Sequence, residues 1–368
     1  MALTRQSERL ELPQARTGGG GGRLYVLDGL RVIAALSVVL FHFTSIDEAW
    51  GQSAAHVFPT LHHFSQYGWI GVELFFLISG FVICMSTWGR SLGDFAISRV
   101  SRLYPAYWIG VLATAAVISL WPVYRSVDSF NQLLINLTML QHGMGVTDID
   151  GSYWTLFTEL KFYLLFAIVV ARGVTYRRCV LFCAIWTVVG IVSYTVDNPL
   201  LDMWAMPLYA PYFTAGIGFY LMYRFKPTAV LWGIVLLSLL LGQHSVAKRV
   251  EFNIPSPGHP VPVWPAQVLV LLCFVVMALV ALGKLNGIRW GWLTTAGALT
   301  YPLYLLHENI GLTVITLLRG HVPALALAGG TLVLITLLSY VVHRTAERPL
   351  SKALRGSLRK GVEDIRAH

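Results

Sequence analysis

Apolar runs separated by short polar segments recur along almost the whole chain. They fall near 27–46, 67–88, 104–121, 153–171, 178–195, 204–223, 229–243, 265–283, 293–316 and 322–343. A helix needs about 20 mostly apolar residues to cross a hydrocarbon core of about 30 Å, and each run reads as such a span, with 229–243 short. The pattern predicts an all-α, polytopic membrane bundle of about ten transmembrane helices. A polar tail (1–23), carrying the glycine tract Gly18–Gly22, precedes the membrane domain (24–350). A basic tail (351–368) follows it.

Composition agrees: 56% of residues are hydrophobic and 12% charged, with a mean hydropathy of +0.64, whereas soluble domains carry about 25% charged residues. The net charge of +9 is explained by topology. With both termini cytoplasmic, 21 of the 27 Lys and Arg fall in inner segments, and only Arg125, Lys248, Arg249 and Arg319 lie outside. That asymmetry satisfies the positive-inside rule and excludes nucleic-acid binding as the reason for the basic pI. The polar N-terminus has no cleavable signal pattern, so the first span is expected to act as an uncleaved anchor. Cys84, Cys179, Cys183 and Cys273 lie in or beside apolar runs without a C-x-x-C, as reduced packing residues do.

Ionisable residues inside apolar spans are costly and mark functional sites. Arg31 and His42 are eleven residues apart, ~1100° around a helix, so they share one face roughly 16 Å apart along the axis. Glu73 opens the second span, ahead of the small pair Ser79-Gly80, which suits close helix packing. Arg99 and Arg102 are neighbours at i, i+3; they either anchor topology or present guanidinium forks to phosphate oxygens. Glu159 and Tyr163 share a face of the fourth span, while Lys161 points elsewhere and either snorkels or pairs across helices. His307 and Glu308 follow Pro302, and Glu347-Arg348-Pro349 reads as a helix stop. His56, His62 and His63 show no metal-ligand spacing, and no metal is expected. The proline-rich segment 253–265 is either a lid or a spacer.

Six motifs in order resemble the acyltransferase-3 family of membrane O-acyltransferases. They are Leu27-Asp28-Gly29-Leu30-Arg31 with ten residues before His42, Gly71-Val72-Glu73 with Ser79-Gly80-Phe81, Arg99-x-x-Arg102-Leu-Tyr-Pro105, Trp154-x-Leu-x-x-Glu159 with Phe162-Tyr163, Tyr301-x-x-Tyr304-Leu-x-His307, and Glu347-x-Pro349. The chain departs from the family at Glu73, where Asp is commoner, and at Lys161. Ending about 25 residues after its last apolar run, it is expected to lack the fused extracellular hydrolase-like domain of some members.

The resemblance implies transfer of an acyl group, commonly acetyl, from cytoplasmic acyl-CoA to a hydroxyl of a carbohydrate or glycosylated acceptor: a surface glycan, a glycolipid or a macrolide-type sugar. Acyl-CoA is then a co-substrate, and no tightly bound cofactor is expected. His42 is the expected base, because imidazole titrates near neutrality, with Glu73 or Glu159 orienting it. An acyl-histidine intermediate remains open. Arg31, Arg99 and Arg102 are expected to hold the donor, and Trp154, Tyr163 and His307 the substrate. The expected location is a bacterial plasma membrane, a high Arg-to-Lys ratio suggesting a GC-rich source. A proton-coupled transporter is the alternative, since buried charges and proline-broken spans also serve transport.

Overall fold

The structure, a computed structural model, describes residues 23–253 and 261–367. The polar tail up to residue 22 and most of the proline-rich segment (254–260) lie outside the described residues. Among the described residues the chain is helical, the only bridge being an isolated one between Arg319 and Val322. The main helices are α1 (Tyr25–Ser45), α2 (Gly71–Thr87), α3 (Leu92–Leu120), α4 (Trp154–Ala171), α5 (Tyr176–Ser193) and α6 (Ala210–Arg224). They continue with α7 (Ala229–Asn253), α8 (Trp264–Ala281), α9 (Trp292–Leu306), α10 (Glu308–Leu318), α11 (Ala324–Val342) and α12 (Arg348–Ala367).

Eight stretches among the described residues are long and apolar enough to cross a membrane, against about ten expected. Of the remaining two expected runs, 204–223 corresponds to α6, of 15 residues, and 293–316 is divided between α9, of 15 residues, and α10, of 11. At 1.5 Å per residue α6 and α9 are each about 22 Å long. Helix α6 is apolar all round and buried from Ala210 to Met222, as a helix enclosed by others must be. It packs against α2, α5, α7 and α8. Its closest approach is to α2, where Gly80 and Gly216 face each other. A Cβ on Gly80 would strike the Phe213 carbonyl, and one on Gly216 the Leu77 carbonyl. Small residues at such a crossing let two backbones come within van der Waals reach.

A second group forms around α1, which packs on α2, α9 and α10. Helix α3 begins at Leu92, well before the expected start of its span, so Arg99 and Arg102 sit on a continuous helix that also contains Pro105. Helix α9 contains Pro302 and ends at Leu306, and α10 restarts at Glu308. A proline inside a helix removes one backbone hydrogen bond and bends it, and here that break brings His307 and Glu308 onto the inward side.

Two expectations need correction. Lys248 and Arg249 are not in an outer loop: α7 runs to Asn253, and Arg249 is buried. Glu347-Arg348-Pro349 is not a stop either. A π-helical turn over His343–Glu347 joins α11 to α12, and the helix continues through Pro349. The basic tail is therefore the amphipathic helix α12, packed along α3.

Candidate functional site

Arg31, Arg99 and Arg102 converge, from α1 and α3, on one cavity of ≈ 140 Å³. Arg31 is held by Asp28, whose Oδ1 lies 3.3 Å from the Arg31 Nη1; the other oxygen accepts from Arg23 Nε at 2.7 Å. Asp28 is buried, so it positions two guanidiniums at once. Glu159 and Tyr163 line the same cavity. The Glu159 carboxylate accepts from Ser79 Oγ at 2.5 Å and from the Tyr163 hydroxyl at 2.6 Å, and the Arg99 guanidinium lies 5.9 Å from the Tyr163 ring centre. The result is a cationic mouth with one fixed carboxylate inside.

At its other end the cavity is closed by Thr155 and Tyr304. The Tyr304 hydroxyl shares a hydrogen bond with Thr155 Oγ1 at 2.8 Å. Its ring packs edge-on to Phe75 and stands 5.5 Å from the His307 ring. His42 does not line the cavity. Arg31 and His42 lie on one helix, but only Arg31 lines the cavity; His42 is reached from the Tyr304 ring through His307, whose ring lies 4.9 Å from that of His42.

Behind Tyr304 is a chain of two histidines and a carboxylate. His42 Nδ1 lies 2.9 Å from the Val38 carbonyl and 3.1 Å from His307 Nε2. His307 Nδ1 lies 2.8 Å from the Tyr304 carbonyl. A carbonyl oxygen can only accept, so this network assigns the proton to Nδ1 on both rings. His307 Nε2 then receives the His42 Nδ1–H, and the lone pair of His42 sits on Nε2. That atom faces Glu308 Oε2 at 3.4 Å. A proton arriving on His42 Nε2 therefore finds a carboxylate beside it. Backbone ties fix this corner: Asp150 accepts from Asn309 N at 2.9 Å, and Asn309 Nδ2 donates to the Ile149 carbonyl at 2.8 Å.

The sequence expectations are distributed differently from the grouping they suggested. Neither Glu73 nor Glu159 contacts His42. Glu73 is ion-paired with Arg249, whose guanidinium also lies over the rings of Trp69 (4.7 Å), Tyr209 (5.0 Å) and Trp154 (5.6 Å). Trp154 accordingly walls this buried pair and does not line the cavity. Glu159 belongs to the arginine cavity. His307 partners His42. Lys161 crosses to another segment, donating to the Met203 carbonyl at 3.0 Å with Phe157 beneath it.

Glu308, Asp28 and Arg249 were the residues whose place in this arrangement the sequence did not disclose. Glu308 carried a signal, being ionisable and next to His307 after a proline. Asp28 was visible only as a member of its motif.

His42, His307 and Glu308 each offer one ligand atom, all within 4.8 Å of one another. The hydrogen bonds commit both Nδ1 atoms and turn His307 Nε2 toward His42. This leaves His42 Nε2 and a Glu308 oxygen free, fewer than the three protein ligands of a catalytic zinc site.

Comparison with known proteins fits this layout. The sequence model of a family described as an acyltransferase domain matches residues 24–344. The exopolysaccharide production protein ExoZ of Rhizobium meliloti is 28% identical over 324 residues, covering 82% of this chain and 94% of ExoZ. The acyltransferase MdmB of Streptomyces mycarofaciens is 28% identical, over 49% of this chain and 46% of that protein. The peptidoglycan O-acetyltransferase OatA of Listeria monocytogenes is 25% identical over 39% of this chain, and the match spans only 24% of that longer protein. No solved structure matches.

Proposed function

The chain belongs to the acyltransferase-3 family, and from that premise we propose that it moves an acyl group, acetyl in the simplest case, from acyl-CoA to a hydroxyl of a carbohydrate or glycosylated acceptor. One observation carries the reading: a cavity lined by Arg31, Arg99 and Arg102 is also lined by Tyr304, whose ring stands 5.5 Å from His307 of a histidine pair in which His42 Nε2 carries no hydrogen bond to the backbone. Polyanionic donors are bound by Arg forks, and hydroxyl acylation needs a base. In this reading the arginine end faces the cytoplasm of a bacterial cell and the histidine end the outer side of the plasma membrane.

The chemistry balances as follows. His42 Nε2 takes the proton of the acceptor hydroxyl as its oxygen attacks the thioester carbonyl carbon. The imidazolium is stabilised by Glu308 on one side and by His307 Nε2, through Nδ1–H, on the other. The C–S bond then breaks, and the thiolate leaves with the proton from Nε2. Glu159, fixed by Ser79 and Tyr163, shapes the passage for the pantetheine arm and takes no proton in this scheme.

The test is purified protein in lipid nanodiscs with acetyl-CoA labelled in the acetyl group and a panel of polysaccharides and glycolipids. Label on an acceptor hydroxyl is expected. Proton-coupled uptake into vesicles with no labelled acceptor would overturn the reading in favour of a carrier.

Two further outcomes follow. Changing Arg99 and Arg102 together to Gln raises the KM for acetyl-CoA by about 100-fold, the loss of roughly two charge-assisted contacts, with a much smaller change in kcat. An unchanged KM would reduce both residues to topology anchors. Chelation with EDTA leaves the transfer rate unaltered, and a loss restored by added Zn²⁺ would show that His42, His307 and Glu308 act as metal ligands.

A further inference from the structure

A second, larger cavity adjoins the first at the arginine end. Its volume is ≈ 630 Å³, within the range of small-molecule sites. Its wall is made by α12, the π turn, α3, α9, α11 and Arg23, just ahead of α1. Arg23, Arg102, Arg344, Arg348, Lys352 and Arg355 all line it. Among the described residues the only carboxylate in the lining is Glu347, already engaged by His343 Nδ1 at 2.6 Å.

Three features make this a built site and not a loose basic surface. Arg102 lines both cavities. Asp28 ties Arg23 of the second cavity to Arg31 of the first. Helix α12 is docked on α3, with Arg355 Nε 3.4 Å from Ser101 Oγ. The π turn has a role in this. Such turns insert one extra residue into a helix and cluster at functional sites. Here the turn shifts the register of α12, so that Arg348, Lys352 and Arg355, at i, i+4 and i+7, face the cavity on one stripe.

We propose that this second cavity is an anion site for the phosphate-bearing nucleotide end of the donor, from which the acylated arm passes Arg102 into the cavity ending at Tyr304. The proposal rests on the acyl-CoA reading above. Six cations, of which Arg23 is paired with Asp28, beside one lining carboxylate already engaged by His343, suit a ligand with several phosphate charges. The same chemistry would also accept the headgroup of an anionic lipid, because a basic amphipathic helix is drawn to such headgroups.

The experiment compares binding of acetyl-CoA, adenosine 3′,5′-bisphosphate and S-acetyl-pantetheine, which lacks the nucleotide. It uses the full chain in nanodiscs of neutral phosphatidylcholine and of phosphatidylglycerol. The variants are Arg348→Gln/Lys352→Gln/Arg355→Gln and Arg355→Gln alone, each checked for an unchanged size-exclusion profile. We expect adenosine 3′,5′-bisphosphate to compete with acetyl-CoA in neutral lipid. The triple variant should weaken both by about 10- to 100-fold, with binding of S-acetyl-pantetheine unchanged, and Arg355→Gln should show a smaller loss in the same direction.

Acetyl-CoA binding that is tight in the parent and equal in the triple variant would overturn the anion site and leave the acyl-CoA reading standing. So would an effect of the triple variant confined to phosphatidylglycerol and shared by S-acetyl-pantetheine, which would assign the cavity to lipid. Failure of the parent to bind any of the three compounds would overturn both.

Discussion

Replacing His42 with Ala is expected to lower acyl transfer by about 10²- to 10⁴-fold, the usual contribution of a positioned acid–base group, with folding and membrane insertion intact. The expectation rests on the hydrogen-bond network. His42 Nδ1–H is committed to the Val38 carbonyl and His307 Nε2, so Nε2 is the sole proton acceptor on this ring. His307→Ala should reduce kcat less than His42→Ala, because it removes the partner that orients and stabilises the imidazolium while leaving Nε2 in place. Glu308→Gln should likewise lower kcat with little change in the KM for the donor, since Glu308 faces His42 and does not line the arginine cavity. Turnover with labelled acetyl-CoA in nanodiscs reads all three. Full activity of His42→Ala would remove this residue from the chemistry.

The second large effect is on stability. Glu73 and Arg249 are both buried, ion-paired and surrounded by Trp69, Trp154 and Tyr209. Removing one member of a buried ion pair strands the other, at a cost of about 3–5 kcal/mol, whereas replacing both by apolar groups of similar volume is often nearly neutral. Arg249→Met and Glu73→Leu should therefore each lower the thermal midpoint of the detergent-solubilised protein sharply. The double variant should recover most of the loss. Single variants as stable as the parent would mean that the pair is solvated and unimportant to the fold. The same comparison separates a structural Glu73 from a catalytic one, because a restored fold with restored transfer excludes a proton-carrying role.

The gross architecture was legible because each span carries its own signal, an apolar run long enough for a membrane and flanked by basic residues. The site was legible in part for a similar local reason. Arg31 and His42 lie on one helix, and helical geometry places them on a common face; Arg99 and Arg102 are neighbours at i, i+3. What stayed hidden depends on contacts between distant segments. The partner of His42 comes from residue 307, 265 positions away, and no periodicity within α1 points to it.

Glu73 illustrates the difficulty. A carboxylate in an apolar span announces a partner, and a histidine or a cation would satisfy it equally well. The actual partner, Arg249, was assigned to a loop because the apolar run of α7 stops ten residues before the helix does. Tyr304 was visible as a motif residue, but its position across the passage depends on the bend at Pro302. The role of α12 was obscured by Pro349, read as a stop where the helix continues. Lys161 resolved as the crossing alternative, through a backbone carbonyl and not a carboxylate.

Tyr304 is where the two halves of the account meet. Tyr304 lines the arginine cavity, and its ring stands 5.5 Å from that of His307, the partner of His42. For the thioester to reach His42 Nε2, this side chain must turn away from Thr155 and Phe75. The most direct measurement is a cryo-electron microscopy structure of the protein in nanodiscs with a non-hydrolysable acetyl-CoA analogue. The account predicts the phosphates at the arginine end, where Arg102 meets the basic face of α12, the Tyr304 ring displaced, and the acyl carbonyl within about 4 Å of His42 Nε2, close to a near-attack distance. An analogue bound elsewhere, or an acyl group held below an unmoved Tyr304 with His42 sealed from it, would contradict the account.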